Sequence, residues 1–241
     1  MGIEGLKVEA INSKVSQYWS VSVTEETTST QSDLINNFAA GKVLVAEYQS
    51  AGRGRLDRKF EIPARKGLTF SFCVEMNEEL GWIPLITGLA VARAINKHMN
   101  SNLVEIKWPN DLLINERKLA GILSEKSPSG VVVGIGINIF QSQAELPIEN
   151  AISLSMLGNV DRELLLIEIL NEIGMAFSDF ENQKKLYREN CGTVGSRVRA
   201  ILPDGEIIED QALGISNDGA LLLNSREIRV GDIVHLRYSS E

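Results

Sequence analysis

The stretch Lys107-Trp-Pro-Asn-Asp-Leu-Leu-Ile-Asn-Glu-Arg-Lys-Leu-Ala-Gly-Ile-Leu123 decides the fold class. A strand over 103–108 is interrupted at Pro109-Asn110-Asp111 and resumes at 112–114, because proline cannot donate within a ladder. Asn115-Glu116-Arg117 then reads as a hairpin turn that returns the chain as a strand over 118–125. No helix fits between these strands, so regular βαβ alternation fails. We expect an α+β fold with a mixed, largely antiparallel sheet and helices on one face; a doubly wound sheet is the second choice.

Working outward, residues 17–23 alternate with period two and read as a strand, and 42–48, 68–74 and 131–139 are further strands. A helix over 32–40 has Thr30 or Ser32 as candidate caps and is closed by Gly41. Residues 80–99 carry apolar groups broadly around a helical repeat, as a largely buried helix does. Asp161 is a good N-cap for an amphipathic helix to about Phe180, with Leu164, Leu165, Ile167, Leu170, Ile173 and Phe177 inward, and a shorter helix follows to about Glu189. After Gly192 the texture changes to short strands at 196–200, 206–208, 212–215, 220–224 and 233–238, spaced by Asp-Gly and Asn-Asp-Gly turns. That pattern suits a small SH3-like β-barrel. We therefore expect a catalytic unit over 1–190 and a barrel over 191–241.

A chain of 241 residues with 44% hydrophobic content can bury a substantial core. Its net charge of −8 weighs against a protein whose main task is holding nucleic acid. No apolar run approaches the roughly 18 residues of a membrane span, and the N-terminus lacks signal-peptide layout, so a soluble cytoplasmic protein is expected. Cys73 and Cys191 are isolated thiols, and His98 and His235 are the only histidines, which suggests neither a disulfide framework nor a zinc cluster.

Against that acidic background, Gly52-Arg53-Gly54-Arg55 concentrates positive charge between two strands. Glycines let a backbone approach a ligand, and arginines supply planar donor forks suited to phosphate or carboxylate; a solvated basic loop is the alternative. At 107–111, Trp108 is either a core residue or part of a ligand site, and Asn110 and Asp111 either cap a bulge or face a polar ligand and a phosphate-held Mg²⁺. Lys118 either snorkels outward or points in as a mobile charge, with Gly121 leaving room. Gly134-Ile-Gly-Ile-Asn138 puts two glycines on one face of a strand, so that a ligand or a helix packs flat against it.

Taken in order, Ser29-Thr30, AEYQSAGRGR at 46–55, KWPNDLLINERKLAGIL at 107–123 and VVVGIGINI at 131–139 resemble the biotin protein ligases. The resemblance implies a two-step reaction. Biotin and MgATP give biotinyl-adenylate, and a lysine of a biotin carboxyl carrier protein or domain then takes the biotinyl group. It further implies that Ser29, Thr30 and Gln31 meet the ureido ring, that Gln49, Arg53, Gly54 and Arg55 line biotin and adenylate, and that Lys118 contacts carboxylate and phosphate. Gly134 and Gly136 would floor the ring. Asn138 and Trp108 join the ligand-facing set, and Asn110 and Asp111 serve nucleotide and metal. The glycine-arginine loop would act as a lid over the labile acyl-adenylate, so that loss of Arg55 leaks it.

Two positions depart from the family's habit: Gln31 stands where Asn is frequent, and Phe60 where Trp is frequent. The stretch before Gln17 leaves no room for a winged-helix DNA-binding domain, so a monofunctional ligase that binds no DNA is expected. An exposed sheet edge and a dimer interface look alike at this stage, which leaves a homodimer open. The runner-up is a lipoate ligase, against which stands GRGR in place of an Arg-Arg and triple-glycine pattern. A non-catalytic biotin or nucleotide sensor is the third reading.

Overall fold

The computed structural model describes residues 3–55, 58–75 and 79–236. Asn115 and Glu116 both take positive φ (48° and 66°), the mirror-image two-residue turn whose twist matches the strands it joins. That turn links β5 (Asp111–Ile114) to β6 (Arg117–Ser127). Upstream, β4 (Val104–Lys107) pairs antiparallel with β5, with Lys107 opposite Asp111. The interruption at Pro109 is thus a reversal of the chain, not a break in one continuing strand.

The remaining strands of this sheet are β1 (Ser20–Thr24), β2 (Lys42–Ala46), β3 (Gly67–Val74) and β7 (Gly130–Asn138). Their order is β1-β2-β3-β7-β6-β5-β4, with β1 and β2 parallel and every other pair antiparallel. This is the mixed, largely antiparallel sheet that the hairpin reading requires.

Side chains alternate across the sheet, and β3 shows what each face meets. Phe72 stacks edge-on against Trp19 and tilts against Phe177 of α4 (Arg162–Ser178), while the Trp19 indole donates to the Leu170 carbonyl at 2.8 Å. On this face α4 lies with α3 (Trp82–His98) and α5 (Phe180–Asn190). Cys73, one residue along, packs with Val132 and with Leu34 of α2 (Thr30–Asn36). The large helices therefore share one face, and among the described α-helices short α2 alone lies on the other. The cap of α2 is Ser29, which accepts from Ser32 N, in place of the expected Thr30 or Ser32. Asp161 does cap α4, accepting from the Glu163 and Leu164 amides, but Leu164 itself is exposed. A five-residue helix, Val8–Asn12, precedes β1 and has no counterpart in the sequence reading, because one turn carries too little periodicity.

Beyond residue 196 comes a second, antiparallel sheet in the order β11-β10-β9-β8-β12, consistent with an SH3-like barrel. It comprises β8 (Arg197–Ile201), β9 (Ile207–Ile215), β10 (Leu221–Leu223), β11 (Glu227–Ile228) and β12 (Asp232–His235). One continuous β9 replaces the two strands expected at 206–208 and 212–215, and the end of the last expected strand lies outside the described residues.

Two tryptophans hold this sheet to the larger one. The Trp82 indole donates to the Asn217 carbonyl at 2.7 Å, and the Trp108 indole donates to the Gly219 carbonyl at 3.0 Å. A Cβ at Gly81 would lie 2.2 Å from the Asp218 carbonyl oxygen, so the backbones meet there at a distance only glycine permits. At the opposite end, the buried Arg162 guanidinium pairs with buried Glu47 at 2.6 Å and donates to the Glu4, Arg65 and Gly67 carbonyls. One charge pair thereby ties the N-terminal segment, the end of β2 and the start of α4.

Candidate active site

The face of the sheet that carries α2 holds a cleft floored by β6 and β7. Its polar end is built by the N-terminus of α2 and the middle of β3. Thr30 N donates to Gln49 Oε1 at 2.8 Å, Thr30 Oγ1 lies 2.8 Å from Ser71 Oγ, and the Gln31 amide nitrogen donates to the Val132 carbonyl at 3.0 Å. Thr30, Gln31 and Ser71 are almost wholly removed from solvent, and Gln49 is half-buried. Such groups are held in one orientation by their own hydrogen bonds.

The glycines of β7 do what their alternation suggests. A Cβ at Gly134 would come within 2.7 Å of Gln31 Oε1, and one at Gly136 within 2.0 Å of the Phe60 ring. Phe60 therefore lies directly against Gly136, and its ring forms an apolar wall of the cleft.

Toward the mouth the lining becomes cationic. Five basic side chains, Arg53, Arg55, Arg58, Lys59 and Lys118, face it against two acidic ones, Asp111 and Asp232. In a chain of net charge −8 this is a local inversion of sign, which favours an anionic ligand. Arg53 makes a two-pronged contact with Glu125 at 2.9 and 3.1 Å. Arg55 donates to Asn110 Oδ1 at 2.9 Å and more loosely to the Gly231 carbonyl at 3.4 Å, and Arg58 pairs with Asp232. Arg53 and Arg55 are thus held by the larger sheet and its turn at Asn110, and Arg58 by the start of β12.

Lys118 sits 2.6 Å from Asp111, pointing inward beside Gly121. Its approach to Asp111 Oδ1 is an ion pair without hydrogen-bond alignment, and that buried oxygen has no hydrogen bond of its own. Nearby charges work against one another. Burial pulls Lys107 below its ordinary value, with Lys118 adding repulsion and Asp111 and Asp232 opposing it. Burial likewise lowers Arg55, while Asp232 and Asp111 act to restore its charge.

All but one of the residues expected at the site line this single cleft: Ser29, Thr30, Gln31, Gln49, Arg53, Gly54, Arg55, Asn110, Asp111, Lys118, Gly134, Gly136 and Asn138. Trp108 is the correction. It is 2% exposed, lies outside the lining of this cleft, and spends its indole N–H on Gly219, so it belongs to the joint with the second sheet. Asn138 is at the rim in a structural role: its amide nitrogen donates to the Ile152 carbonyl and its oxygen accepts from Gln141, which pins the loop after β7. Asn110 also works through others, donating to the Ile122 carbonyl while it receives Arg55.

Sequence reasoning missed Ser71, Pro147, Ile148 and Asp232, all in the lining. Ser71 left a trace, a polar residue at every second position of Thr69-Phe-Ser-Phe-Cys73 in an otherwise apolar strand. The others reach the cleft from a distant loop and from the second sheet, where local pattern carries no signal.

A hydrogen-bonded slot that opens into a cationic mouth suits an enzyme that joins an apolar carboxylic acid to an anionic co-substrate. The chain belongs to the biotin/lipoate A/B protein ligase family, whose model matches residues 20–141. Within that family it is similar to the biotin–[acetyl-CoA-carboxylase] ligase of Mycobacterium tuberculosis, with 35% identity over 236 residues covering 89% of this chain and 88% of that one. It is 32% identical to the bifunctional ligase/repressor BirA of Escherichia coli, over 79% of this chain and 64% of that protein. Among solved structures, a biotin protein ligase from Aquifex aeolicus in complex with biotin and ATP superposes with a TM-score of 0.78 at 31% identity, covering 90% of this chain and 99% of that one.

Proposed function

We propose that this protein is a biotin ligase: it activates biotin with ATP and transfers the biotinyl group to a lysine of a biotin carboxyl carrier protein or domain. The observation that carries the reading is the continuity of a buried, hydrogen-bonded slot with a mouth of five basic side chains. Biotin is a neutral ureido bicycle on an aliphatic tail, and it asks for an apolar slot with a few placed polar groups. ATP and the biotin carboxylate are both anionic, and cations must stand between them.

In the first step a biotin carboxylate oxygen attacks the α-phosphorus, the bond to the β-phosphate breaks, and pyrophosphate leaves. Lys118 neutralises charge that accumulates on the α-phosphoryl oxygens; it is placed for this because its present partner, Asp111, can yield to phosphate, while Arg55 keeps Asn110 and holds its loop over the site. In the second step the carrier's lysine amine attacks the acyl carbon, the acyl–oxygen bond breaks, AMP leaves, and the amine sheds a proton. Between the two steps the loop of residues 52–60 excludes water from the acyl-adenylate.

Mg²⁺ fits this site as a phosphate-held ion. Among the described residues no cluster of three or more metal-binding side chains occurs, whereas the buried Asp111 Oδ1 lacks a hydrogen bond and is a single carboxylate donor facing the mouth. When bound, the metal would screen the leaving pyrophosphate. Ser29, Thr30, Gln31 and Gln49 would hold the ureido ring, and Gly134 and Gly136 make room for the Gln31 amide and the Phe60 ring that wall it. The catalytic unit spans 1–190 and the barrel 191–241. The net charge of −8 supports a ligase that binds no DNA, and a reaction that consumes ATP supports a cytoplasmic one. Incubation with biotin, MgATP and a carrier domain tests the reading, because the carrier gains one biotinyl group only if both steps occur.

A further inference from the structure

The protons along the polar end of the cleft can be assigned from the identities of the heavy atoms. A backbone carbonyl only accepts, so the Gln31 atom 3.0 Å from the Val132 oxygen is the amide nitrogen. The other amide atom is then the oxygen, and Ser71 Oγ, 3.1 Å away, donates to it. A serine has one proton to give, so in the 2.8 Å contact between Thr30 and Ser71 the donor is Thr30. The same logic applies at Gln49. It accepts from the Thr30 backbone N–H at 2.8 Å, which identifies the accepting atom as Oε1, and the Thr30 hydroxyl lies 3.1 Å from that oxygen. Both hydroxyl contacts of Thr30 therefore draw its proton into the wall.

Resting on the biotin reading, we infer that Ser71 is a specificity-determining positioning residue: by committing its own proton to Gln31 it makes Thr30 Oγ1 an acceptor toward the cleft, so the site selects a ligand ring that presents N–H there. Gln49, with its oxygen occupied, keeps its amino group as a donor for a neighbouring ligand carbonyl. Together they form an acceptor beside a donor, the complement of one N–H and the C=O of a cyclic urea. A ring with oxygen in place of that N–H would set lone pair against lone pair. Thr30 is 2% exposed, Gln31 3% and Ser71 1%, so bulk water does not relieve the mismatch. Without Ser71 the Gln31 oxygen loses a donor and its amide keeps only the bond to Val132, while Thr30 keeps only the longer contact to Gln49 Oε1 to hold its proton in the wall.

The test measures biotin-dependent exchange of pyrophosphate into ATP by the full-length enzyme. Biotin is compared with the two cyclic carbamates in which one or the other ring N–H is replaced by oxygen. Wild type should prefer biotin over one carbamate by about a hundredfold in kcat/KM, the upper part of the range that leaving one buried hydrogen-bonding group unsatisfied costs. Ser71→Ala should cut that preference by about tenfold, mainly through a higher KM for biotin with a smaller change in kcat, and Ser71→Thr, which keeps the hydroxyl, should retain it. If Ser71→Ala does not fold by circular dichroism, Ser71→Cys, a weaker donor of similar size, should shift the preference the same way by less. Normal biotin exchange with an undiminished preference in a folded Ser71→Ala or Ser71→Cys enzyme would overturn the inference alone. Absence of any biotin-dependent exchange in wild type would overturn the biotin reading and the inference with it.

Discussion

Replacing Arg55 by alanine separates the lid from the chemistry. Arg55 lies in the loop of residues 52–60 and reaches across to Asn110 with a hydrogen bond of 2.9 Å, adding two contacts of 3.4 Å to the Gly231 carbonyl. The long contacts are near the limit of hydrogen bonding and contribute little. The bond to Asn110 has a charged donor and is partly buried, so its removal costs about 1.5–3 kcal/mol, or roughly 10- to 150-fold in the balance between docked and undocked loop. By contrast, the Arg58–Asp232 pair is exposed on the arginine side and adds at most about 1 kcal/mol. Arg55 is thus the stronger tether. In the absence of a carrier, wild type should release one equivalent of pyrophosphate and then stall on the sequestered acyl-adenylate. Arg55→Ala should continue, with AMP appearing at least about tenfold faster as water or outside amines consume the leaked intermediate. The assay follows AMP and adenylate by chromatography after ATP is removed. A mutant that forms the adenylate normally and retains it as long as wild type does would refute the lid.

Lys118→Ala should leave the fold intact and slow adenylate formation by about 10²–10³, measured as pyrophosphate release, because it removes a cation aimed at developing charge. Glu47→Gln should destabilise the protein by about 3–5 kcal/mol in urea unfolding, since it leaves the buried Arg162 guanidinium without its counter-charge. His235 yields a pH dependence. Burial and the nearby Lys107 hold it below its ordinary 6.5, so the unfolded chain takes up the proton first as pH falls. Its contribution is complete above 6.5 and is lost below, and His235→Gln should flatten the acid limb of a melting-temperature profile between pH 7.5 and 5.

Much of the large sheet was legible because its cues are local. Asn115-Glu116 announces a tight turn, the glycines at 134 and 136 announce a close approach, and residues 82–98 repeat with helical period. What escaped depends on partners far away in sequence. Nothing beside Trp108 says that Gly219 will take its N–H, nothing at Asp232 says that it will meet Arg58, and Pro109 looks like a break until β4 and β5 are seen to pair. Lys118 and the glycine strand converge on one cleft because each sits in a strand whose face was fixed by alternation, and GRGR joins them from the loop between β2 and β3. Ser71 was legible in part: its alternation with Phe70 and Phe72 marks one face as polar, but in a strand buried on both faces nothing local says that this face lines a cleft.

The central claim is tested most directly by the intact mass of a carrier domain after incubation with the purified protein, MgATP, and biotin and lipoate in equal amounts. The account requires a single mass increase equal to one biotinyl group, absent when ATP or biotin is omitted. A carrier that stays unmodified in the presence of folded protein, or that gains a lipoyl group instead, would contradict it.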